Sequence, residues 1–150
     1  MTSYGEVERE LAVLLRRARA WNRDVATEVH PDLQPTAYAL LSRVDELGSV
    51  RASDLCDYFG IDKGAVSRQV ALLERTGMVA REPDPGDGRA QLLVVTEEGR
   101  KRLAHARGGR RRVVREQLDR WPDADVATFA ELLGRFNTQM DAALGRGDTD

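Results

Sequence analysis

The stretch that most constrains this chain is Arg51 to Thr96, RASDLCDYFGIDKGAVSRQVALLERTGMVAREPDPGDGRAQLLVVT. Leu55, Cys56, Phe59 and Ile61 set the apolar positions of one short helix and turn, and Val66, Val70, Leu73 and Met78 continue them on a second helix. Between them Gly60 lets the chain reverse sharply, and Asp62 is placed to cap the second helix, its carboxylate accepting from free backbone N–H groups of the next turn. A small residue at Cys56 lets the two helices cross closely. Two β-rich runs follow, Met78 to Glu82 and Gln91 to Thr96, separated by the polar turn formers Pro83 to Gly88 with Arg89 at the tip.

Helix, turn, helix and hairpin in that order predict a winged helix-turn-helix, mainly α with a small β-hairpin wing. Such a shape can place a helix in a DNA major groove and a wing in the adjacent minor groove. The second helix would then present Lys63, Gly64, Ser67, Arg68 and Gln69 outward. Arg, Lys and Gln can pair with guanine and adenine edges, while Ser67 suits a phosphate. Arg51 and Ser53, at the start of the first helix, complete the expected contacts on the helical side. Arg89 suits the enhanced negative potential of a narrow minor groove. Asp87 would be repelled by phosphate, and its expected job is to hold the Arg89 guanidinium. For every one of these charges the competing reading is a solvated surface.

Charge argues against the DNA reading at first. The chain has 150 residues and net charge −2. Residues 51–96 carry 6 basic and 7 acidic groups, so the expected reading segment is about neutral. The basic excess sits later, with 9 basic and 4 acidic groups in residues 97–120. There Arg100, Arg107, Arg111 and Arg115 fall on one helical arc, expected to be a solvated face partnered by the acidic ends of the chain. DNA binding therefore requires the fold to sort the basic groups of 51–96 onto one face.

The flanks are long and amphipathic. Residues 6–29 place Val7, Leu11, Leu14, Leu15, Ala18, Trp21, Val25 and Val29 at helical steps, a helix spanning about 36 Å. Thr36 is the expected cap of the next helix, which ends at Gly48. Thr96 is expected to cap a helix from Glu97 to Leu118, kinked or weak near Gly108-Gly109. A last helix starts at Asp123 or Asp125 and carries Val126, Phe129, Leu132, Leu133, Phe136, Met140 and Leu144; the tail from Gly145 is expected to be disordered. Residues 1–35 and 119–146 are thus read as dimerisation helices, 36–100 as the DNA-binding domain and 97–118 as a connecting helix. A two-fold dimer would bury the terminal stripes and present two reading heads to a palindromic site.

The single cysteine excludes an internal disulfide, and with two histidines a Cys/His metal site has no basis. No cofactor is expected. Cys56 sits where a small apolar residue packs, in preference to a redox-sensing role. The ends show no membrane-spanning run and no signal-peptide pattern, so a soluble, cytoplasmic protein is expected.

The arrangement resembles the MarR family of transcriptional regulators. The resemblance is carried by ASDLCDYFGIDKGAVSRQVALLERTGMVAR, the Asp87-Gly88-Arg89 wing motif and Leu93, Thr96 and Gly99 of LVVTEEGR. It covers essentially the whole chain, although Pro85-Gly86 ahead of the wing motif departs from the family's usual wing. It implies a homodimer on double-stranded DNA at a pseudo-palindrome, usually a repressor, and in many members release by a small, often phenolic, ligand. Trp21, His30 and Tyr38, near the junction of the first two helices, are the ligand-lining candidates, against core or loop roles. The rival function class is a winged-helix protein-interaction module that never touches DNA, supported by the neutral charge of 51–96. No nucleophile–base pair or phosphate-cradling loop supports an enzyme.

Overall fold

A computed structural model of the chain describes residues 3–143. The order is α1 (Ser3–Val29), α2 (Pro35–Leu47), α3 (Ala52–Phe59), α4 (Lys63–Arg75), β1 (Val79–Asp84), β2 (Asp87–Val95), α5 (Glu97–Leu118) and α6 (Asp123–Ala143). Two compact units divide between Gly108 and Gly109.

In the first unit α2 packs against α1, α4 and β2, and α3 against α4. Leu40, Leu41 and Val44 of α2, Leu55 of α3, Val66, Val70 and Leu73 of α4 and Leu93 of β2 are fully buried in one core. Cys56, Phe59 and Ile61 pack half-buried against it, giving Cys56 the packing place expected of it. From α1 only Val25, Ala26 and Val29 are buried, so most of its apolar stripe is not covered.

The helix ends follow from local chemistry. Gly60 closes α3 in the left-handed region at φ 62°, where an L side chain would be strained. Asp62 caps α4, its Oδ1 accepting from the Ala65 N–H at 2.7 Å. The cap of α2 is Gln34 and not Thr36, because Pro35, lacking an N–H, fits the first helical position without losing a bond. The helix assignment of α5 runs unbroken through Gly108-Gly109. The cost of glycine there did not outweigh the residues on either side.

Leu93, Thr96 and Gly99 join the wing to α5. Leu93 and Val50 exchange backbone hydrogen bonds at 3.1 and 2.8 Å, adding a one-residue bridge beside the hairpin. Thr96 Oγ1 accepts from the Gly99 N–H at 3.0 Å and donates to the Gly77 carbonyl at 2.5 Å. Gly99 then lies so close to β1's approach that an added Cβ would stand 2.3 Å from the Met78 carbonyl oxygen. Its role is close backbone approach, which outweighs its poor helix propensity.

In the second unit α6 buries no residue. Trp121 and Phe129 have ring centroids 5.6 Å apart. Val114, Leu118, Trp121, Val126, Arg111 and Arg115 line a cleft of about 710 Å³. Leu144 and the tail from Gly145 lie outside the described residues. No described helix is long and apolar enough to cross a membrane.

Candidate nucleic-acid interface

The exposed side of α4 carries Lys63, Gly64, Ser67 and Arg68. The Asp62 cap leaves this group at a helix N-terminus, whose free N–H groups and dipole favour anions. Gly64 is helical, and a Cβ built on it meets only the Arg68 Nη1 at 3.5 Å and Asp62 Oδ1 at 3.8 Å, both ordinary contacts. The fold therefore does not demand glycine at position 64, whereas close approach of another molecule to this first turn would. Gln69 departs from the outward face: it is half-buried and its Oε1 is sequestered without a partner. Ser53 is exposed in the first turn of α3.

The wing differs from its sequence reading. The loop expected over 83–89 is a two-residue turn, Pro85-Gly86, with strand on either side. Pro83 pairs with Gln91 and Asp84 with Asp87, so Gly88, Arg89 and Ala90 form an unpaired bulge in β2. Arg89 is thus on the β2 arm and not at the tip, and it is exposed there. Turn-forming composition suggested a loop; proline at the second position of the turn and a bulge behind it let the ladder continue instead. Asp87 also has a different job. Its Oδ1 accepts the Arg89 backbone N–H at 3.1 Å, fixing the backbone beneath Arg89 and not the guanidinium.

Two ion pairs tie this wing to the helices, and neither was read from the sequence. Arg81 of β1 donates through Nε and Nη2 to the two carboxylate oxygens of Glu74 on α4, at 2.8 and 3.3 Å. Arg51, at the N-cap of α3, donates to Asp84 at the end of β1, with Nε–Oδ2 2.8 Å. Hydrogen bonds from the Gly86 N–H and from Arg51 hold the Asp84 carboxyl below its usual range, and Asp84 in turn raises Arg51. The partners of the Arg51 pair are 33 residues apart. Asp84 beside Pro-Gly reads as a turn former alone, so no local signal marks either pair.

These contacts ease the charge problem in part. Of the acidic groups in 51–96, Asp62, Glu74, Asp84 and Asp87 are engaged inside the fold. Among the described residues, no carboxylate stands at ion-pair distance from Lys63, Arg68, Arg75 or Arg89. The basic run of α5 is also paired differently from expectation. Arg100, Arg102 and Arg112 pair with Glu97, Glu98 and Glu116 on their own helix, and Arg107 pairs with Asp45 of α2. Neighbours at three and four residues, and one packed helix, supply these partners.

The ligand-lining candidates are partly absorbed by the core. Tyr38 is 8% exposed and lies beside Arg107. Trp21 packs half-buried against the core. His30 is half-buried and its Nδ1 accepts the Asp32 N–H at 3.2 Å.

Comparison with known proteins agrees with this geometry. The sequence profile of the MarR family matches residues 32–90. The helix-turn-helix-type transcriptional regulator YxaD of Bacillus subtilis is 33% identical over 131 residues, 87% of this chain and 90% of the relative. The structure of a MarR family protein from Bacillus stearothermophilus superposes with TM-score 0.82 at 20% identity, over 93% of this chain and 98% of that one. Streptococcus pneumoniae FabT, solved in complex with DNA, superposes with TM-score 0.80 at 16% identity, over 93% and 99%. With four cations sorted outward on a winged helix-turn-helix, this chain belongs to the MarR family and is a DNA-binding transcriptional regulator.

Proposed function

We propose that the chain works as a cytoplasmic homodimeric repressor on a pseudo-palindromic operator, with α4 in the major groove and the wing in the minor groove. Lys63 and Arg68 read or clamp DNA from α4, with Ser67 and Ser53 on phosphates, Gly64 allowing close approach and Arg89 entering the minor groove. Residues 1–35 and 119–146 supply the dimer, 36–100 the DNA-binding domain and 97–118 the connection.

The observation that carries the dimer is the apolar surface left open at both ends of the chain. Tyr4, Val7, Leu14 and Leu15 of α1 and Phe129, Leu132, Leu133 and Met140 of α6 are all exposed, Tyr4 by 80%. Val113, Val114 and Trp121 are exposed beside the α5–α6 cleft. Burying such stripes against a second copy gains roughly 25 cal/mol per Å² of apolar surface. The protein-interaction alternative loses part of its support, because four of the seven acidic groups of 51–96 are engaged within the fold.

Release by a small phenolic or other aromatic effector is the regulatory half of the reading. Trp21 and His30 are its more accessible candidates, since Tyr38 is buried.

Selection of DNA by the purified protein from a random pool tests the whole reading. We expect two inverted half-sites about 10 base pairs apart centre to centre, bound by a particle of twice the 16.7 kDa chain mass. A pool that shows no enrichment would return the protein-interaction reading.

A further inference from the structure

We propose that Arg51 is a positioning residue for the wing: with Asp84 it forms a clasp that fixes Arg89 relative to α4. The proposal rests on the DNA-binding reading above but concerns how the wing is held before DNA arrives.

The hairpin ladder alone cannot fix the wing's end. Pairing is regular from Val79↔Val95 to Pro83↔Gln91 and then slips by three residues, leaving a single rung, Asp84↔Asp87, beyond the bulge. Arg89 sits within that slip. What holds this end is a side-chain relay. Arg51 donates from Nε and Nη2 to Asp84 Oδ2, while Asp84 Oδ1 accepts the Gly86 N–H at 2.9 Å. Across the turn, Asp87 fixes the Arg89 N–H. Both oxygens of Asp84 are thus used, one toward the helices and one toward the turn, and its side chain is only 12% exposed.

The other end of the clasp is anchored. The Arg51 carbonyl accepts from the Asp54 and Leu55 N–H groups at 3.1 and 3.3 Å, opening α3, and the preceding Val50 is tied to Leu93. α3 packs on α4. The Arg81–Glu74 pair ties the base of β1 to α4 separately. The wing is therefore held to the helix pair at its base and near its tip, and Arg51 supplies the point near the tip.

A planar guanidinium with two donors on one carboxylate is a rigid link. Glutamine at 51 cannot reproduce it, and lysine offers a point charge without the fork. The test is a double-mutant cycle on operator binding with Arg51→Gln, Arg89→Ala and the combination. Each single change is expected to weaken binding roughly tenfold, with the double variant no weaker than Arg89→Ala alone. Arg51→Lys is expected to recover part of the loss. Independent, multiplicative losses would make Arg51 a direct DNA contact and overturn the proposal.

Amide hydrogen exchange on the free protein provides a readout that needs no DNA. In Arg51→Gln the Gly86 and Arg89 amides should exchange at least several-fold faster, with α4 amides and the melting temperature unchanged. Unchanged exchange at those two amides would overturn the clasp whatever the operator data show. Failure of the wild-type protein to bind any selected DNA would count against the DNA reading, and exchange would still decide the clasp.

Discussion

At the scale of single residues, two glycines in helices carry opposite messages. Gly99 is required by the protein's own packing, since a Cβ there would meet the Met78 carbonyl at 2.3 Å. Gly99→Ala is expected to lower stability by about 1–3 kcal/mol, the usual cost of forcing extra volume into a packed site, read as a shift in the urea midpoint. Gly64 has no such neighbour. Gly64→Ala should raise stability by up to about 1 kcal/mol through helix propensity, yet weaken operator binding by about 1 kcal/mol or more. A variant that melts higher and binds equally well would remove the DNA backbone from the account of this position. Asp84 gives a third residue-scale expectation. Its carboxyl is depressed by the Gly86 N–H and by Arg51, so the clasp is complete above the ordinary carboxylate pKa near 3.8. It is lost only as pH falls below that value and through the depressed one. At about pH 4, where a carboxyl with the ordinary pKa near 3.8 is already roughly 40% protonated, the Asp84 carboxyl carbon shift should still be that of the carboxylate; a shift well toward the acid form there would contradict the clasp geometry.

At the scale of elements, the proposed reading divides recognition between α4 and the wing, and the two should fail differently. Arg68 projects from the outward face of α4. If it reads a base edge, Arg68→Ala loses about 1–3 kcal/mol at its preferred base and relaxes preference there. Arg89→Ala should weaken binding to all sites and flatten the salt dependence by about one counterion. Competition against a panel of single-base operator variants separates these outcomes, and a uniform loss for Arg68→Ala would demote it to a phosphate clamp. The helices behind this division were legible in the sequence because helix periodicity and caps are local: Asp62, Gly60 and Thr96 do what their positions suggest. The wing was legible as a hairpin but not in detail. Its Asp-Pro-Gly-Asp composition speaks of a turn and says nothing of the bulge that moves Arg89 off the tip. Least legible were Arg51–Asp84 and Arg81–Glu74, whose partners meet only because the helix pair and the hairpin pack together. Gln69 belongs with them. Its spacing put it on the outward face, while the packing of α4 turns its oxygen inward.

At the scale of the whole molecule, the proposed reading draws binding strength from more than one reading head. Among the described residues a single head offers Lys63, Arg68, Arg75 and Arg89 as cations without a carboxylate at ion-pair distance, a small charge for a polyanion. Two heads on one particle convert the second contact into an intramolecular one, a gain of about 10²–10⁴ in avidity when the geometry fits. On the proposed reading the second unit supplies the contact between copies. α6 is 21 residues long and buries none of them, and an isolated helix is marginal in water without a tertiary partner. Its exposed Phe129, Leu132, Leu133 and Met140 form the stripe that a second copy would cover. Leu132→Glu combined with Phe129→Glu places two charges on that stripe, where burial without a partner is costly. The double variant is expected to sediment at the 16.7 kDa chain mass, with exchange protection in α2, α3 and α4 retained. Its affinity for a full operator should fall by about 10² or more, and its affinity for one half-site should not change. Equal losses on full and half operators would place α6 in support of the reading head itself, and a dimer that persists would move the interface off this helix.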